Sequence, residues 1–105
     1  MISDELINKI RKRLVDSFSP EKIILFGSHA RDTADERSDV DILVICRFEG
    51  KRRHLMLEMD RTLDDLDYAF DILILTPEEF QRERHIPGTI GRYAQREGRV
   101  LYAQS

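Results

Sequence analysis

Apolar residues recur every three or four positions in three parts of the chain, which is the spacing of one face of an α-helix. The pattern predicts helices over residues 3–18, 54–66 and 89–97, and a capping motif predicts a further helix over residues 76–84. Ser3 is a suitable N-cap for the first of these helices. Thr76, Pro77 and Glu79 have the spacing of a capping box with proline in the first helical position, so they mark a clear helix start.

Unbroken apolar runs indicate strands over residues 22–26, 39–46 and 68–75, and residues 99–102 are expected to form either a short final strand or an extended tail. Runs without alternation are typical of strands that are buried on both faces. Residues 28–31 are expected to begin a short helix, and the polar residues 32–38 a loop. This order favours an α/β fold of the α+β type, in which helices pack on a small sheet.

The composition narrows the class of protein further. A chain of 105 residues is expected to form one domain, residues 1–105, and its net charge of −3 does not suggest nonspecific binding to nucleic acid. The only cysteine, Cys46, lies in an apolar run and is expected to be a buried thiol. No signal peptide and no apolar stretch of roughly 20 residues is present, so we expect a cytoplasmic protein that does not enter membranes.

The clearest chemical signal lies between two of the predicted strands. Gly27 and Ser28 follow the first apolar run, and Asp39 and Asp41 open the second. Side chains two positions apart on a strand share a face, so these carboxylates repel each other unless a cation such as Mg²⁺ lies between them. Gly27 lets a phosphate approach the backbone, and the following amides with the Ser28 hydroxyl favour an anion. Together these features suit a metal–nucleotide complex.

Gly-Ser, ten intervening residues and Asp-x-Asp resemble the signature of the DNA polymerase β-like nucleotidyltransferases. The short chain and the Ala30-Arg31 pair resemble the minimal nucleotidyltransferases in particular, which are antitoxin partners of HEPN-domain toxins. The motif covers residues 27–41, and the wider resemblance runs from the first helix to about residue 75. It implies the nucleotidyltransferase fold, with a small mixed β-sheet flanked by helices.

The resemblance also implies a third carboxylate on a later strand, and Asp71, followed by four aliphatic residues, is the candidate. Asp39, Asp41 and Asp71 would then be the catalytic residues and the ligands of two Mg²⁺ ions. The implied nucleotide-binding residues are Gly27, Ser28 and Arg31. The implied reaction transfers AMP from ATP to a hydroxyl, that of a tyrosine in the HEPN toxin, as in the antitoxin of a type VII toxin–antitoxin pair.

Several positions have two interpretations. Arg31 either contacts phosphates or pairs with a nearby acid, whereas His29 is expected to be a solvent-facing spacer rather than a substrate contact. The basic run at residues 51–53 is expected to be a solvated helix start rather than a phosphate contact. Apolar residues in segment 86–102 form either an interface, with a second copy in a homo-oligomer or with another protein, or ordinary core.

Two other functions compete with AMP transfer to a protein. The chain could be a non-catalytic nucleotide-binding antitoxin that neutralises its partner by contact alone, although a complete set of three aspartates argues against this. It could also be a nucleotidyltransferase that modifies a small molecule and needs no protein partner.

Overall fold

The computed structural model describes residues 2–31, 33–35 and 38–104. Within these residues there are eight helices and strands, in the order α1 (Asp4–Phe18), β1 (Lys22–Phe26), β2 (Val40–Ile45), α2 (Arg52–Thr62), β3 (Phe70–Leu75), α3 (Pro77–Glu83), α4 (Ile90–Glu97) and β4 (Arg99–Ala103). The four longer helices and the three strands expected from the sequence are all present, and residues 99–102 lie in a fourth strand rather than in an extended tail. The largest shift is at the end of α2, because the chain leaves the helix through hydrogen-bonded turns at Leu63 and Asp64.

The four strands form one sheet in the order β3-β2-β1-β4. β1 is antiparallel to both β2 and β4, whereas β2 and β3 are parallel. The predicted fold class, a small mixed sheet flanked by helices, is therefore confirmed. The two central strands, β1 and β2, are those with the most completely buried residues, as their unbroken apolar runs suggest.

Alternate residues along each strand pack into two separate hydrophobic clusters. Ile23 and Leu25 of β1 pack with α1 and α2, while Ile24 and Phe26 pack with α3 and α4. We refer to the two sides as the α1/α2 face and the α3/α4 face. Among the described residues, sixteen buried residues form the first cluster and seven form the second.

Hydrogen bonds at the helix starts agree with the sequence. The Ser3 hydroxyl accepts from the Leu6 amide at 3.1 Å. Thr76 and Glu79 form the predicted capping box, in which the Thr76 hydroxyl accepts from the Glu79 amide and the Glu79 carboxylate accepts from the Thr76 amide. Thr89 accepts from the Arg92 amide at 3.2 Å and so caps α4. These caps fix where α1, α3 and α4 begin.

The segment between β1 and β2 differs from the prediction in one respect. Residues 28–31 form hydrogen-bonded turns and not a helix, because a single turn has too few hydrogen bonds to offset the ordering of its backbone. Of the predicted loop at residues 32–38, Thr33–Asp35 and Ser38 lie outside helices and strands. Asp32, Glu36 and Arg37 lie outside the described residues.

Helix α4 packs tightly against β1. Gly98 is the C-cap of α4; it donates its N–H to the Ala94 carbonyl at 2.9 Å and its backbone is extended. A Cβ atom at Gly98 would overlap the Ala94 carbonyl and Ile24 of β1. Glycine is therefore needed here because it lets helix and strand approach each other closely.

The segment over residues 86–102 contributes to the core and to the surface. Ile90, Tyr93 and Ala94 pack with the α3/α4 cluster, whereas Ile86 and Val100 are about half exposed. Within the part of the chain that the structure describes, no helix has both the length and the apolar character to cross a membrane.

Candidate active site

Asp41 and Asp71 lie side by side on neighbouring strands. They are direct partners in the parallel register of β2 and β3, and Asp41 is also the antiparallel partner of Phe26 in β1. Each aspartate lies two residues before a leucine that packs on the α3/α4 face, Leu43 in β2 and Leu73 in β3, so both are on that face of the sheet. Asp39 immediately precedes β2 and is exposed. The structure thus brings two of the predicted carboxylates together at one end of the sheet, with the third beside them.

Gly27 separates β1 from the turn and lies against Asp41. Its φ of +74° is in the left-handed region, which glycine adopts without strain. A Cβ atom built on Gly27 would overlap Oδ2 of Asp41. Only a residue without a side chain allows the turn to lie this close to the carboxylate.

The electrostatic surroundings of Asp41 agree with this crowding. Burial raises the pKa of the Asp41 carboxyl above its ordinary value, and the negative charges of Asp71 and then Asp39 raise it further. His29 acts in the opposite direction and lowers this pKa. The negative charges of Asp71 and Asp39 thus act on Asp41, although Asp39 and Asp71 are themselves exposed.

This donor set is chemically suited to Mg²⁺. The cation prefers oxygen ligands and would offset the repulsion that raises the Asp41 pKa. Over residues 2–31, 33–35 and 38–104, no group of three or more His, Cys, Asp or Glu side chains is already arranged to hold a metal ion. Metal binding by Asp39, Asp41 and Asp71 therefore stays a prediction.

The turn after Gly27 is held by its own backbone. The amides of Ala30 and Arg31 both donate to the Gly27 carbonyl, at 3.1 and 3.2 Å, and the Thr33 amide donates to the Ser28 carbonyl at 3.0 Å. The Ser28 hydroxyl has no hydrogen-bond partner among the described residues and so could donate to a ligand. Nucleotide binding by Gly27 and Ser28 also stays a prediction.

His29 is not the solvent-facing spacer expected from the sequence. It is buried, with 7% of its surface exposed, and its Nε2 lies 3.1 Å from the Ser38 carbonyl oxygen. Its ring packs edge-on against Tyr68, with ring centroids 6.4 Å apart. This position follows from a residue that is distant in sequence, because Tyr68 precedes β3. His29 thus connects the turn to the residue before Asp39.

Arg31 lies at a groove beside helix α4, which we call the arginine groove. The groove has a volume of about 800 Å³ and is lined by Arg31, Pro87, Gly88, Thr89, Ile90, Arg92, Tyr93, Arg96 and Glu97. Arg31 is exposed, and no acid among the described residues pairs with its side chain. Sequence reasoning did not single out Arg92 or Arg96, because two arginines on a short surface helix look like a solvated face.

The basic run at residues 51–53 does not reach the site. Arg52 donates to both carboxylate oxygens of Glu79, at 2.8 and 2.9 Å, and to the Ile74 carbonyl at 2.8 Å. Lys51, Arg52 and Arg53 are all exposed at the start of α2, as expected. The Arg52 guanidinium also joins this helix start to the capping box of α3, which the sequence did not indicate.

Comparison with known families identifies the class of protein. Residues 7–103 match the family described as "Nucleotidyltransferase domain". The match covers nearly the whole chain and includes the Gly-Ser turn, both strands that carry aspartates, and the arginine groove. The chain belongs to this nucleotidyltransferase family, which confirms the resemblance seen in the sequence.

Among curated proteins, the chain is similar to two proteins of Methanocaldococcus jannaschii that are named as candidate protein adenylyltransferases. It is 42% identical to MJ1305 over 69 residues, which are 66% of this chain and 44% of that protein. It is 36% identical to MJ0126 over 62 residues, which are 59% of this chain and 62% of that protein. The matched segment thus spans less than two thirds of each relative.

Two solved structures share the fold. A toxin–antitoxin crystal structure with AMP-PNP superposes with a TM-score of 0.61 at 24% identity, covering 94% of this chain and 74% of the other. A mutant of the MntA–HpeT toxin–antitoxin, with two aspartates replaced by glutamate, superposes with a TM-score of 0.62 at 21% identity and the same coverage. At these identities the likeness establishes the fold of the chain.

Proposed function

We propose that residues 1–105 form a single nucleotidyltransferase domain that transfers AMP from ATP to a hydroxyl group of a partner protein, with Mg²⁺ as the required cation. One observation carries the proposal: Asp41 is in register with Asp71 on adjacent parallel strands and is packed against a glycine turn. Paired carboxylates next to an open backbone turn can bind a divalent cation and a phosphate chain in one place.

Each residue has a distinct role in this proposal. The carboxylates of Asp39, Asp41 and Asp71 would hold two Mg²⁺ ions, which supply charge neutralisation and stabilise the attacking and leaving oxygens. The Gly27 backbone and the Ser28 hydroxyl would bind phosphate oxygens, with Arg31 contributing positive charge from the neighbouring groove. The rate enhancement would come chiefly from positioning and charge stabilisation.

The transfer is a single displacement at phosphorus. The acceptor oxygen forms a bond to the α-phosphorus while the bond from that phosphorus to the bridging oxygen breaks, and pyrophosphate leaves with the electron pair. The acceptor hydroxyl loses its proton, and Asp71 is the group that we propose as its acceptor. Asp71 is exposed at this end of the sheet, where an incoming hydroxyl can reach it.

The proposed acceptor is a tyrosine of a HEPN-domain toxin, and the chain would then be the antitoxin of a type VII pair. The resemblance to minimal nucleotidyltransferases implies this partner. The curated relatives named for protein adenylylation and the toxin–antitoxin complexes of the same fold support it. Such a function would place the protein in the cytoplasm, together with ATP and the toxin.

The test is to incubate the protein with Mg²⁺ and ATP, alone and with a HEPN-domain protein encoded next to it, and to weigh both proteins by intact mass spectrometry. We expect an adduct of AMP mass on the partner, which Asp41→Asn and Asp71→Asn abolish. Asp60→Asn is the matched control, since Asp60 is an exposed aspartate on α2 and should leave transfer unchanged.

The other outcomes are equally definite. Full transfer by Asp41→Asn would refute the role given to the aspartates. A tight complex without an adduct would favour neutralisation by contact alone. Transfer to an aminoglycoside or another small hydroxyl compound, without a protein partner, would favour the small-molecule reaction.

A further inference from the structure

The carboxylates and the arginine groove lie on the same face of the sheet, close to Phe26, the last residue of β1. Asp71, Asp41 and Phe26 are successive partners across β3, β2 and β1. On this α3/α4 face, the Phe26 ring packs edge-on against Tyr93 of α4, which lines the groove, with ring centroids 6.0 Å apart. Gly27, directly after Phe26, lies against Asp41, and its carbonyl accepts from the amide of Arg31, another groove residue.

Helix α4 is held in this position by close packing. Gly98 allows it to contact Ile24, and Gly91 faces Glu83 of α3, where a Cβ atom would come within 2.6 Å of the Glu83 side chain. The Gly91 amide also donates to the Glu83 carboxylate at 3.1 Å. This close packing fixes the position of α4 and therefore of the arginines that it carries.

The groove carries an excess of positive charge. Arg31, Arg92 and Arg96 line it, and Glu97 is the acid among the lining residues. Arg92 is partly buried and donates to the Arg84 carbonyl at 3.3 Å, which orients its guanidinium. In the described part of the chain, neither Arg31 nor Arg96 has a carboxylate partner. Three guanidinium groups at one groove with so little compensating charge form a site for an anion with several oxygens.

We propose that Arg92 and Arg96, together with Arg31, bind the β- and γ-phosphates of the nucleotide and hold the pyrophosphate that the transfer releases. This inference rests on the proposed function, since the α-phosphate must lie at the carboxylates. Gly27 lies against Asp41 and is hydrogen-bonded to Arg31 of the groove, so a phosphate chain that passes over this turn would extend from the carboxylates toward the groove. Arginine is suited to the role because its planar guanidinium can bind two phosphate oxygens at once.

The test compares binding of three ligands by isothermal titration calorimetry, in Mg²⁺ and without an acceptor: ATP, inorganic pyrophosphate and AMP. The variant Arg92→Gln with Arg96→Gln should bind ATP and pyrophosphate about 10- to 100-fold more weakly, because two charge-assisted contacts are lost. AMP has no β- or γ-phosphate, so its affinity should not change.

The matched control is Arg53→Gln with Arg82→Gln, which removes the same charge from exposed positions on α2 and α3. We expect wild-type affinities for all three ligands. Equal weakening by the control would show that overall charge, and not the groove, attracts the phosphates, and would overturn the proposal. Wild-type protein that binds neither ATP nor pyrophosphate would overturn it as well.

Three further outcomes separate this proposal from its alternatives and from the proposed function. If AMP binding weakens as much as ATP binding, the groove holds the nucleoside and the proposal is wrong. If nucleotide and pyrophosphate binding are unchanged but binding of the partner protein weakens, the groove contacts an acidic protein surface and the proposal is again wrong. Absence of AMP transfer alongside the expected binding pattern would refute the proposed function and leave the phosphate site supported.

Discussion

The two faces of the sheet use the same strands for different purposes. The α1/α2 face buries sixteen of the described residues in one cluster, including side chains such as Ile10 and Leu14 that are completely inaccessible to solvent. The α3/α4 face buries seven and carries the aspartates and the arginine groove at its open end. Stability is therefore expected to depend mainly on the first face, and the chemistry on the second.

This division also explains why the candidate site can tolerate local repulsion. Like charges on Asp39, Asp41 and Asp71 are unfavourable in the absence of a cation. The cluster on the opposite face buries apolar surface at roughly 25 cal/mol per Å², which supplies the stability that the charged end does not. Substitutions on the two faces should separate stability from activity, and the four below are ordered by expected size.

Leu14→Ala should have the largest effect, confined to stability. Leu14 is fully buried, so removing its side chain leaves a cavity and should lower the free energy of unfolding by about 2–5 kcal/mol. Urea denaturation measures this, and the rate of AMP transfer per folded molecule should not change. Lys12→Ala on the exposed side of the same helix is the control. A loss below about 1 kcal/mol for Leu14→Ala would contradict the importance given to this face.

Gly27→Ala should mainly lower the rate of AMP transfer. The new methyl group overlaps Asp41 Oδ2, so the carboxylate must move. Alanine must also adopt the positive φ of this position, which it disfavours. Because displacement of reacting groups by about 1 Å costs about 100-fold, we expect a loss of transfer rate of that order. Gly50→Ala is a close control, since Gly50 also has a positive φ but has open space around it. Equal effects of the two variants would show that backbone strain and not contact with Asp41 is responsible.

The fold could be read largely from the sequence because its signals are local. The apolar run that forms β1 stops at Gly27, and the capping box at Thr76 and Glu79 depends on residues only three positions apart. The aspartates of the site were also identifiable, since Asp39 and Asp41 lie in one short motif and Asp71 stands alone before an apolar strand.

The remaining parts of the site depend on contacts between residues far apart in the chain. His29 is buried because Tyr68 packs against it, and nothing next to His29 in the sequence indicates this. Arg92 and Arg96 reach the groove because α4 docks on β1 through Gly98. Arg52 likewise finds Glu79 across the edge of the sheet. A single sequence gives the composition of these segments but not their three-dimensional neighbours.

Glu79→Gln tests the connection between the two faces, because Arg52 of α2 binds the Glu79 carboxylate of α3. Hydrogen bonds from Arg52 and from the Thr76 amide lower the pKa of Glu79 from 4.5 to about 2. The charged carboxylate therefore stabilises the fold at neutral pH. The pair is partly solvent-exposed and screened, so we expect Glu79→Gln to lower the free energy of unfolding by only about 1 kcal/mol.

The effect of Glu79→Gln on the free energy of unfolding should depend on pH. A carboxyl whose pKa is lowered by folding contributes its full stability above pH 4.5, and the contribution is lost as the pH falls through about 2. The difference between wild type and Glu79→Gln should therefore be constant near neutral pH and shrink below pH 4.5. Glu78→Gln, which removes an acid from the same helical turn whose ion pair with Arg47 is largely exposed, should have a smaller effect at neutral pH. A difference that grows on acidification would contradict the assignment.

Asp41→Asn should produce the smallest change in stability, an increase of under about 1 kcal/mol in the free energy of unfolding. Folding raises the pKa of Asp41, so the folded state binds its proton more tightly than the unfolded chain does. The stabilisation is complete below the ordinary pKa of 3.8 and is lost as the pH rises through the raised value. At neutral pH without Mg²⁺, the charged wild-type residue is therefore unfavourable, and the Asn variant should melt at a higher temperature.

Addition of Mg²⁺ should reverse that order if Asp41 binds the cation. A ligand that binds only the folded state raises its stability, so wild type should gain melting temperature with Mg²⁺ while Asp41→Asn does not. Thermal melts in EDTA and in Mg²⁺ measure both effects on the same two proteins, with Asp60→Asn as the control for loss of one negative charge. A lower melting temperature for Asp41→Asn in EDTA would show that the carboxylate stabilises the fold. In that case the two faces would not separate stability from chemistry, because Asp41 would contribute to both.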